Sequence, residues 1–217
     1  MSPDVTLTAL LVLVLASLLA VADWVAVARE RIPLDRLLRP AVICALVVVV
    51  WSFDDVDGAW RALFSVALAL SLVRDVLAPR WFAGAVVASL FAHVVYVVGF
   101  QRMGWSWLWA AAGIVVVLLA AGAYAAHVVT GVRATSPIYT GMVVLYIGVV
   151  SLMVVAAAGT GRPTAVAGAF LFYVSDTLVG WNRFRVPTPY APVLIVLAYH
   201  LAQMLLVLSL TVGAPGL

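Results

Sequence analysis

A chain of 217 residues in which 66% are hydrophobic and only 10% are charged carries more apolar side chain than an aqueous core absorbs, which excludes an ordinary soluble domain. The formal charge of +3 comes from 12 basic residues, all arginine and scattered singly, which excludes the basic tract of a nucleic-acid-binding surface. A single cysteine, Cys44 in an apolar run, excludes an internal disulfide and reads as core filler.

A membrane span takes roughly 20 apolar residues, and by that measure about eight segments are predicted. They cover approximately 5–28, 39–53, 59–78, 81–101, 105–130, 137–158, 163–182 and 189–213. The first, "VTLTALLVLVLASLLAVADWVAVA", has no Lys or Arg before it and is long enough to span, so it reads as a helix rather than a signal peptide. The second is short and has to borrow its ends from the interface. The breaks "RERIPLDRLLRP", "SFDDVDG", "APRW", "QRMG", "GVRATSP", "GTGRP" and "NRFRVPTP" are each rich in Arg, Gly, Pro or Asp. None is long enough for a soluble domain. The expected architecture is therefore all-α, one transmembrane helix bundle over residues 1–217.

The arginines orient that bundle. With the N-terminus outside, Arg29, Arg31, Arg36, Arg39, Arg74, Arg80, Arg133, Arg183 and Arg185 fall on the cytoplasmic side, against Arg61, Arg102 and Arg162 outside. The asymmetry places both termini outside the cytoplasm, together with the acidic loop of Asp54, Asp55 and Asp57. "LVRDVL" closing the third segment and "YVSDTL" closing the seventh share Val, Asp and Leu, a short match of the kind a four-helix parallel repeat would leave.

Those two hexapeptides hold the intramembrane carboxylates. An Asp at mid-bilayer costs on the order of 2.5 to 3.5 kcal/mol on insertion scales, so such residues face the bundle interior or a cavity and mark a site. For Asp75 the structural alternative is snorkelling to the interface beside Arg74 and Arg80. Asp176, next to Ser175, lies deeper, and its helical neighbours Ala165, Gly168, Ala169, Phe172 and Gly180 form a small-residue stripe suited to close packing. Polar stripes recur at helical spacing elsewhere: Ser89, His93, Tyr96 and Phe100 in the fourth segment, Tyr199 and Gln203 in the eighth, Tyr139, Met142, Tyr146 and Met153 in the sixth. Each is open to two readings, convergence on one cavity or interhelical bonds of roughly 0.6 kcal/mol that only hold the bundle together. The three histidines fall at different depths with no HxxxH or CxxC pair, so no metal site is expected, and His200 reads as a packed or capping group. A hydrolase elbow and a phosphate-binding loop are also missing from the sequence.

The chain resembles the YhhN-like lysoplasmalogenase family of membrane proteins. The resemblance is carried by "GAFLFYVSDTLVGWNRF" and, in the same order along the chain as in the family, by "LRPAVICALV", "FAHVVYVVGF", "YIGVVSLMVVAA" and "YHLAQMLLVLS". It implies an eight-helix enzyme without a cofactor that hydrolyses the vinyl-ether bond of lysoplasmalogens, releasing a fatty aldehyde and glycerophosphoethanolamine or glycerophosphocholine. Its implied partners are a lysophospholipid substrate and the surrounding membrane lipids. The family's two acidic positions fall on Asp75 and Asp176. Two positions depart from the family pattern: Arg74 stands where a glycine is usual, and Arg39 before Pro40 where a lysine is usual.

Acid hydrolysis of a vinyl ether starts with protonation of the alkene carbon and passes through an oxocarbenium ion that water captures. One carboxyl has to hold its proton and a second its charge, as glycosidases arrange around a similar cation. Asp176, on the more apolar helix, is expected to be the acid, and Asp75, beside Arg74 and Arg80, the anionic partner that also takes a proton from water. His93, Tyr96, Tyr146, Ser175, Tyr199 and Gln203 are expected to line the substrate and its water, and Arg39 to bind the lipid phosphate near the interface. The rival class is a lipid or small-molecule transporter in which the two aspartates carry a proton or cation. Two features weigh against it: the third and seventh segments lack the Gly or Pro interruption of an ion site, and eight helices are few for alternating access.

Overall fold

In the computed structural model, residues 6–135 and 137–211 are described. Eight α-helices follow one another: α1 (Leu7–Ala28), α2 (Ile32–Ser52), α3 (Gly58–Leu77), α4 (Phe82–Gln101), α5 (Trp107–Thr135), α6 (Thr140–Gly159), α7 (Pro163–Phe184) and α8 (Ala191–Leu208). A 3-10 turn, Pro137–Tyr139, leads into α6, and the described residues contain no strand. Residues 5, 212 and 213 of the expected first and eighth segments lie outside the described residues.

The largest boundary difference is α2, which begins at Ile32 and runs 21 residues instead of starting near residue 39, while α5 runs on to Thr135 instead of ending near 130 and α8 ends at Leu208 instead of near 213. Pro33 sits at the helix start, where its missing N–H costs nothing, and Asp35 pairs with Arg39 one turn later. The arginine-rich stretch marks the edge of the apolar layer, and the helix runs straight through that edge.

Among the described residues, α1, α4, α6 with its 3-10 turn, α7 and α8 are long and apolar enough to cross a membrane, and α5 joins them if its two bent halves form one span. The more charged helices are α2, with Asp35, Arg36 and Arg39, and α3, with Arg61, Arg74 and Asp75. Leu10, Leu18, Leu119, Leu145 and Leu152 are exposed on the outside of the bundle, a surface that suits lipid and not water, and Cys44 of α2, expected to fill the core, is exposed as well. The chain is an integral membrane protein.

Consecutive helices pack as hairpins, α1 on α2, α3 on α4, α5 on α6 and α7 on α8, and α8 closes the bundle against α1 and α2. Short loops are fixed by local bonds. Thr6 accepts from the Ala9 amide and donates to the Ser52 carbonyl at 2.7 Å, tying the start of α1 to the end of α2. In the acidic loop Asp57 caps α3 by accepting from the Ala59 and Trp60 amides. Between α6 and α7, Gly161 takes φ +67°, and Arg162 then donates to the Ser209 carbonyl at 2.6 Å while lying 5.1 Å from the Trp60 ring.

The small-residue stripe of α7 is the packing surface it was expected to be. Ala165, Gly168, Ala169 and Phe172 are buried, and a Cβ at Gly168 would meet the Ala202 carbonyl and the Leu206 side chain of α8 at 3.0 Å. A larger residue there overpacks a backbone contact that cannot relax. Gly168→Leu is expected to destabilise the purified protein by about 1–3 kcal/mol, read as a lowered thermal unfolding midpoint in detergent. An unchanged midpoint would show that this contact is not tight.

Candidate active site

The two family aspartates are built into separate interhelical networks. Asp75 lies in the last turn of α3, where Tyr199 of α8 donates to its Oδ2 at 2.9 Å. The neighbouring Arg74 reaches back to Oδ1 at 3.3 Å and lays its guanidinium 4.4 Å from the Tyr199 ring centre. One turn earlier, Ser71 accepts from Gln203 Nε2 at 2.9 Å, and Gln203 Oε1 accepts from the Tyr96 hydroxyl at 2.7 Å. Tyr96 is held edge-on to Phe64 and stacked on Phe100. This polar ladder therefore joins α3, α8 and α4 inside the bundle, with Ser71, Asp75, Tyr96, Tyr199 and Gln203 all buried.

Asp176 of α7 is approached from α6 and α4. Tyr146 donates to its Oδ2 at 2.7 Å, and His93 Nε2 stands 3.3 Å from the same oxygen. The single phenol proton is committed to Asp176, so Ser89, 2.9 Å from the Tyr146 oxygen, is the donor of that contact, giving the chain Ser89 to Tyr146 to Asp176. His93 is wedged edge-on between Phe172 and Tyr146, with ring centroids at 4.6 and 5.5 Å. Both neighbours converge on Oδ2, and among the described residues none donates to Oδ1.

The pairing is reciprocal. The carboxylate of α3 is bound by α8, and the carboxylate of α7 is met by α4. Snorkelling to the interface therefore does not describe Asp75, whose side chain is only 2% exposed.

A cavity of about 230 Å³ opens beside Asp176. Arg39, Arg74, Ser89, Tyr146, Thr177 and Asp176 supply its polar surface, and residues such as Val86, Val128, Ile147, Val150 and Ile195 make the rest apolar. A pocket with an apolar body and a few convergent polar groups is the expected form of a lipid site. Arg39 hydrogen-bonds Asp35 and stands 3.5 Å from Asp23 on α1.

The residues singled out in the sequence divide into two groups. Arg39, Tyr146 and Asp176 line the cavity; Asp75, His93, Tyr96, Tyr199 and Gln203 lie behind its wall, most of them in the ladder. Ser175 is not brought to the cavity: its hydroxyl donates to the Ile195 carbonyl at 3.0 Å and fastens α7 to α8. Sequence reasoning missed Asp23, although the same intramembrane-carboxylate rule finds it in "AVADWVAV". It also missed Tyr124, which lines the cavity and donates to the Thr177 carbonyl. The histidines are dispersed, His93 beside Asp176, His200 beside Asp23 and His127 near Trp181. Among the described residues no three His, Cys, Asp or Glu side chains gather as metal ligands would.

Known proteins extend this picture. The model of the YhhN family matches residues 34–210. Human lysoplasmalogenase TMEM86B is 30% identical over 158 residues, which is 70% of this chain and 65% of the relative. The pig lysoplasmalogenase TMEM86B is 43% identical over 44 residues, 20% of each chain. The match thus spans a little under two thirds of the human relative's length. No solved structure matches. With a family model covering α2 to α8 and both carboxylate networks inside it, the chain belongs to the YhhN family.

Proposed function

We propose that this protein hydrolyses the vinyl-ether bond of lysoplasmalogens, yielding a fatty aldehyde and glycerophosphoethanolamine or glycerophosphocholine. The observation that carries the reading is Asp176 on the wall of an apolar cavity that also holds Arg39 and Arg74. An alkenyl chain occupies the apolar part, and the arginines take the phosphate in charge-assisted contacts. The relatives named lysoplasmalogenase support the same reaction class.

In this reading Asp176 gives its proton from Oδ1, the oxygen that Tyr146 and His93 leave free, to the alkene carbon distal to the ether oxygen. The C=C electron pair forms the new C–H bond, and the positive charge settles on the carbon and oxygen of the ether as an oxocarbenium ion. Water adds to that carbon, and its proton returns to the Asp176 carboxylate. The resulting hemiacetal breaks its bond to glycerol, the hydroxyl proton passing through Asp176 to the leaving oxygen. One water is consumed, and the acid is regenerated. Asp75 lies behind Arg74 and does not touch the cavity wall, so its part is the negative charge that Tyr199 and Arg74 hold in place. Asp176 then serves as both acid and base, as one carboxyl does in retaining glycosidases.

Replacing Asp176 by Asn keeps the shape and removes the transferable proton. Lysoplasmalogen turnover by the purified variant is expected to fall by about 100-fold or more, the usual scale of general acid catalysis. Asp75→Asn is expected to lower kcat as well, through loss of charge opposite the cation. Both variants should insert and purify as wild type does, because an amide costs less in lipid than a carboxylate. The matching ester-linked lysolipid should be a poor substrate, since the cavity presents no nucleophile with an oxyanion site. Near-normal vinyl-ether cleavage by Asp176→Asn refutes the acid role, and efficient ester cleavage moves the protein to another class of lipase.

Arg39→Ala is expected to raise KM with little change in kcat, because phosphate binding is present in ground and transition states alike. A large fall in kcat at unchanged KM would give Arg39 a different role. We further propose a bacterial inner membrane as the location, with both termini outside the cytoplasm, on the arginine asymmetry. Reporters active only in the cytoplasm or only outside it, fused after Leu217, test this, and a cytoplasmic signal alone reverses the topology.

A further inference from the structure

Asp23 is a buried ionisable group close to Arg39 on the cavity wall, and the reaction as derived does not use it. Its side chain is 0% exposed, and among the described residues none lies within hydrogen-bond geometry of either oxygen. A buried carboxylate without donors opposes folding, and an apolar residue of similar size would serve packing better. Its surroundings point to what it does instead.

Arg39 Nε of α2 lies 3.5 Å and His200 Nε2 of α8 3.9 Å from Asp23 Oδ2, and the Asp35 carboxyl of α2 is a further close neighbour of Asp23. The indole of Trp24 donates to His200 Nδ1 at 3.1 Å. An indole N–H only donates, so Nδ1 of that imidazole is an acceptor and its proton sits on Nε2, the nitrogen aimed at Asp23. Trp24, His200, Asp23 and Arg39 thus form one oriented series across α1, α8 and α2 that ends at the cavity wall. His200, itself fully buried, places Nε2 3.9 Å from the carboxylate, outside direct hydrogen-bond distance, and the carboxylate lies 3.5 Å from the inner nitrogen of the guanidinium.

Arg39 has a second carboxylate, Asp35, one turn away on its own helix and 23% exposed. The two differ in kind. A partly exposed i,i+4 pair is weak and exchanges more readily with another anion than a pair whose carboxylate is enclosed by three helices.

We propose that Asp23 is a positioning residue which, oriented by His200, holds Arg39 against the cavity. Asp35 is the exchangeable partner whose place on the guanidinium is taken by the phosphate of a lysophospholipid. This rests on the proposed lysophospholipid substrate, and it extends that reading to a residue outside the family match. It makes a prediction that a merely structural salt bridge does not: two aspartates on one arginine act with opposite sign. Asp23 supports phosphate binding, and Asp35 competes with it.

The test is binding to purified protein in detergent. The probes are a saturated alkyl-ether lysophosphocholine, which has no alkene to protonate, and the corresponding alkylglycerol, which has no phosphate. Wild type should bind the phosphocholine ether more tightly. Arg39→Ala should weaken that binding by about tenfold or more, the scale of a hydrogen bond to a charged group. Asp23→Asn should lose several-fold, with no further loss in the Asp23→Asn, Arg39→Ala double variant. Asp35→Asn should bind as tightly as wild type or tighter, and no variant should change alkylglycerol binding.

Wild-type affinity in Asp23→Asn, or losses that add fully with Arg39→Ala, would overturn the inference. If Asp23→Asn does not purify as folded protein, Asp35→Asn decides alone: weakened phosphocholine binding shows two equivalent structural bridges and overturns it. Because the probe is not cleaved, these outcomes are separate from turnover. A wild-type protein that binds it with these signs yet leaves lysoplasmalogen intact refutes the proposed reaction and keeps the Asp23 assignment.

Discussion

The bundle is organised by the need to pair every buried charge within the protein, because lipid offers no hydrogen bonds to one that is left alone. Each intramembrane carboxylate faces polar groups from at least one other helix: Asp75 to α8, Asp176 to α6 and α4, Asp23 to α2 and α8. Apart from the contact of Asp23 with Arg39 inside the α1–α2 hairpin, these contacts cross between hairpins, whose own packing is mainly apolar and nondirectional. A slip of α8 by one residue against α3 would turn Tyr199 and Gln203 away from Asp75 and Ser71 together. Packing brings the helices near one another, and the polar ladder fixes their register.

The same constraint separates charge from reaction space. Arg74 and Tyr199 surround Asp75 on the far side of the wall, while Asp176 has one oxygen occupied and the other free beside the cavity. Two identical side chains thereby acquire different surroundings: one has a fixed cation against it, and the other faces an apolar chamber. Arg74 contacts Asp75, stacks on Tyr199 and contributes to the cavity. Its bulk is accommodated by that stacking, and the carboxylate beside it stays enclosed.

Helix number, order and most boundaries were legible in the sequence because lipid imposes a length on apolar runs. That criterion failed at α2, where Arg31, Arg36 and Arg39 end the apolar run but not the hydrogen-bonded helix. Asp75 and Asp176 were legible as isolated charges in such runs. Their partners were legible only as types: Tyr199, Gln203 and Tyr146 stood out as polar residues at helical spacing, but which carboxylate each would meet depends on how the helices are rotated and shifted against one another. Ser175 illustrates the cost of that gap, since its neighbour Asp176 faces the cavity while it faces α8. Asp23 is a lone carboxylate in the first apolar run, and its partners Arg39 and His200 lie on other helices, so only their packing gives it a place near the cavity.

The partners of these charges are far apart along the chain. Tyr199 lies 124 residues after Asp75, Gln203 132 after Ser71, and His200 176 after Trp24. A ribosome takes on the order of ten seconds to add that many residues. During that interval α1 and α3 emerge from the insertion machinery before α8 exists, and their carboxylates have neither phenol nor imidazole to meet. The nascent membrane intermediate thus carries its exposed acids longest where the finished protein buries them most deeply. A chain that stops before α8 lacks Tyr199 and His200, and leaves Asp75 and Asp23 without the groups that α8 sets against them.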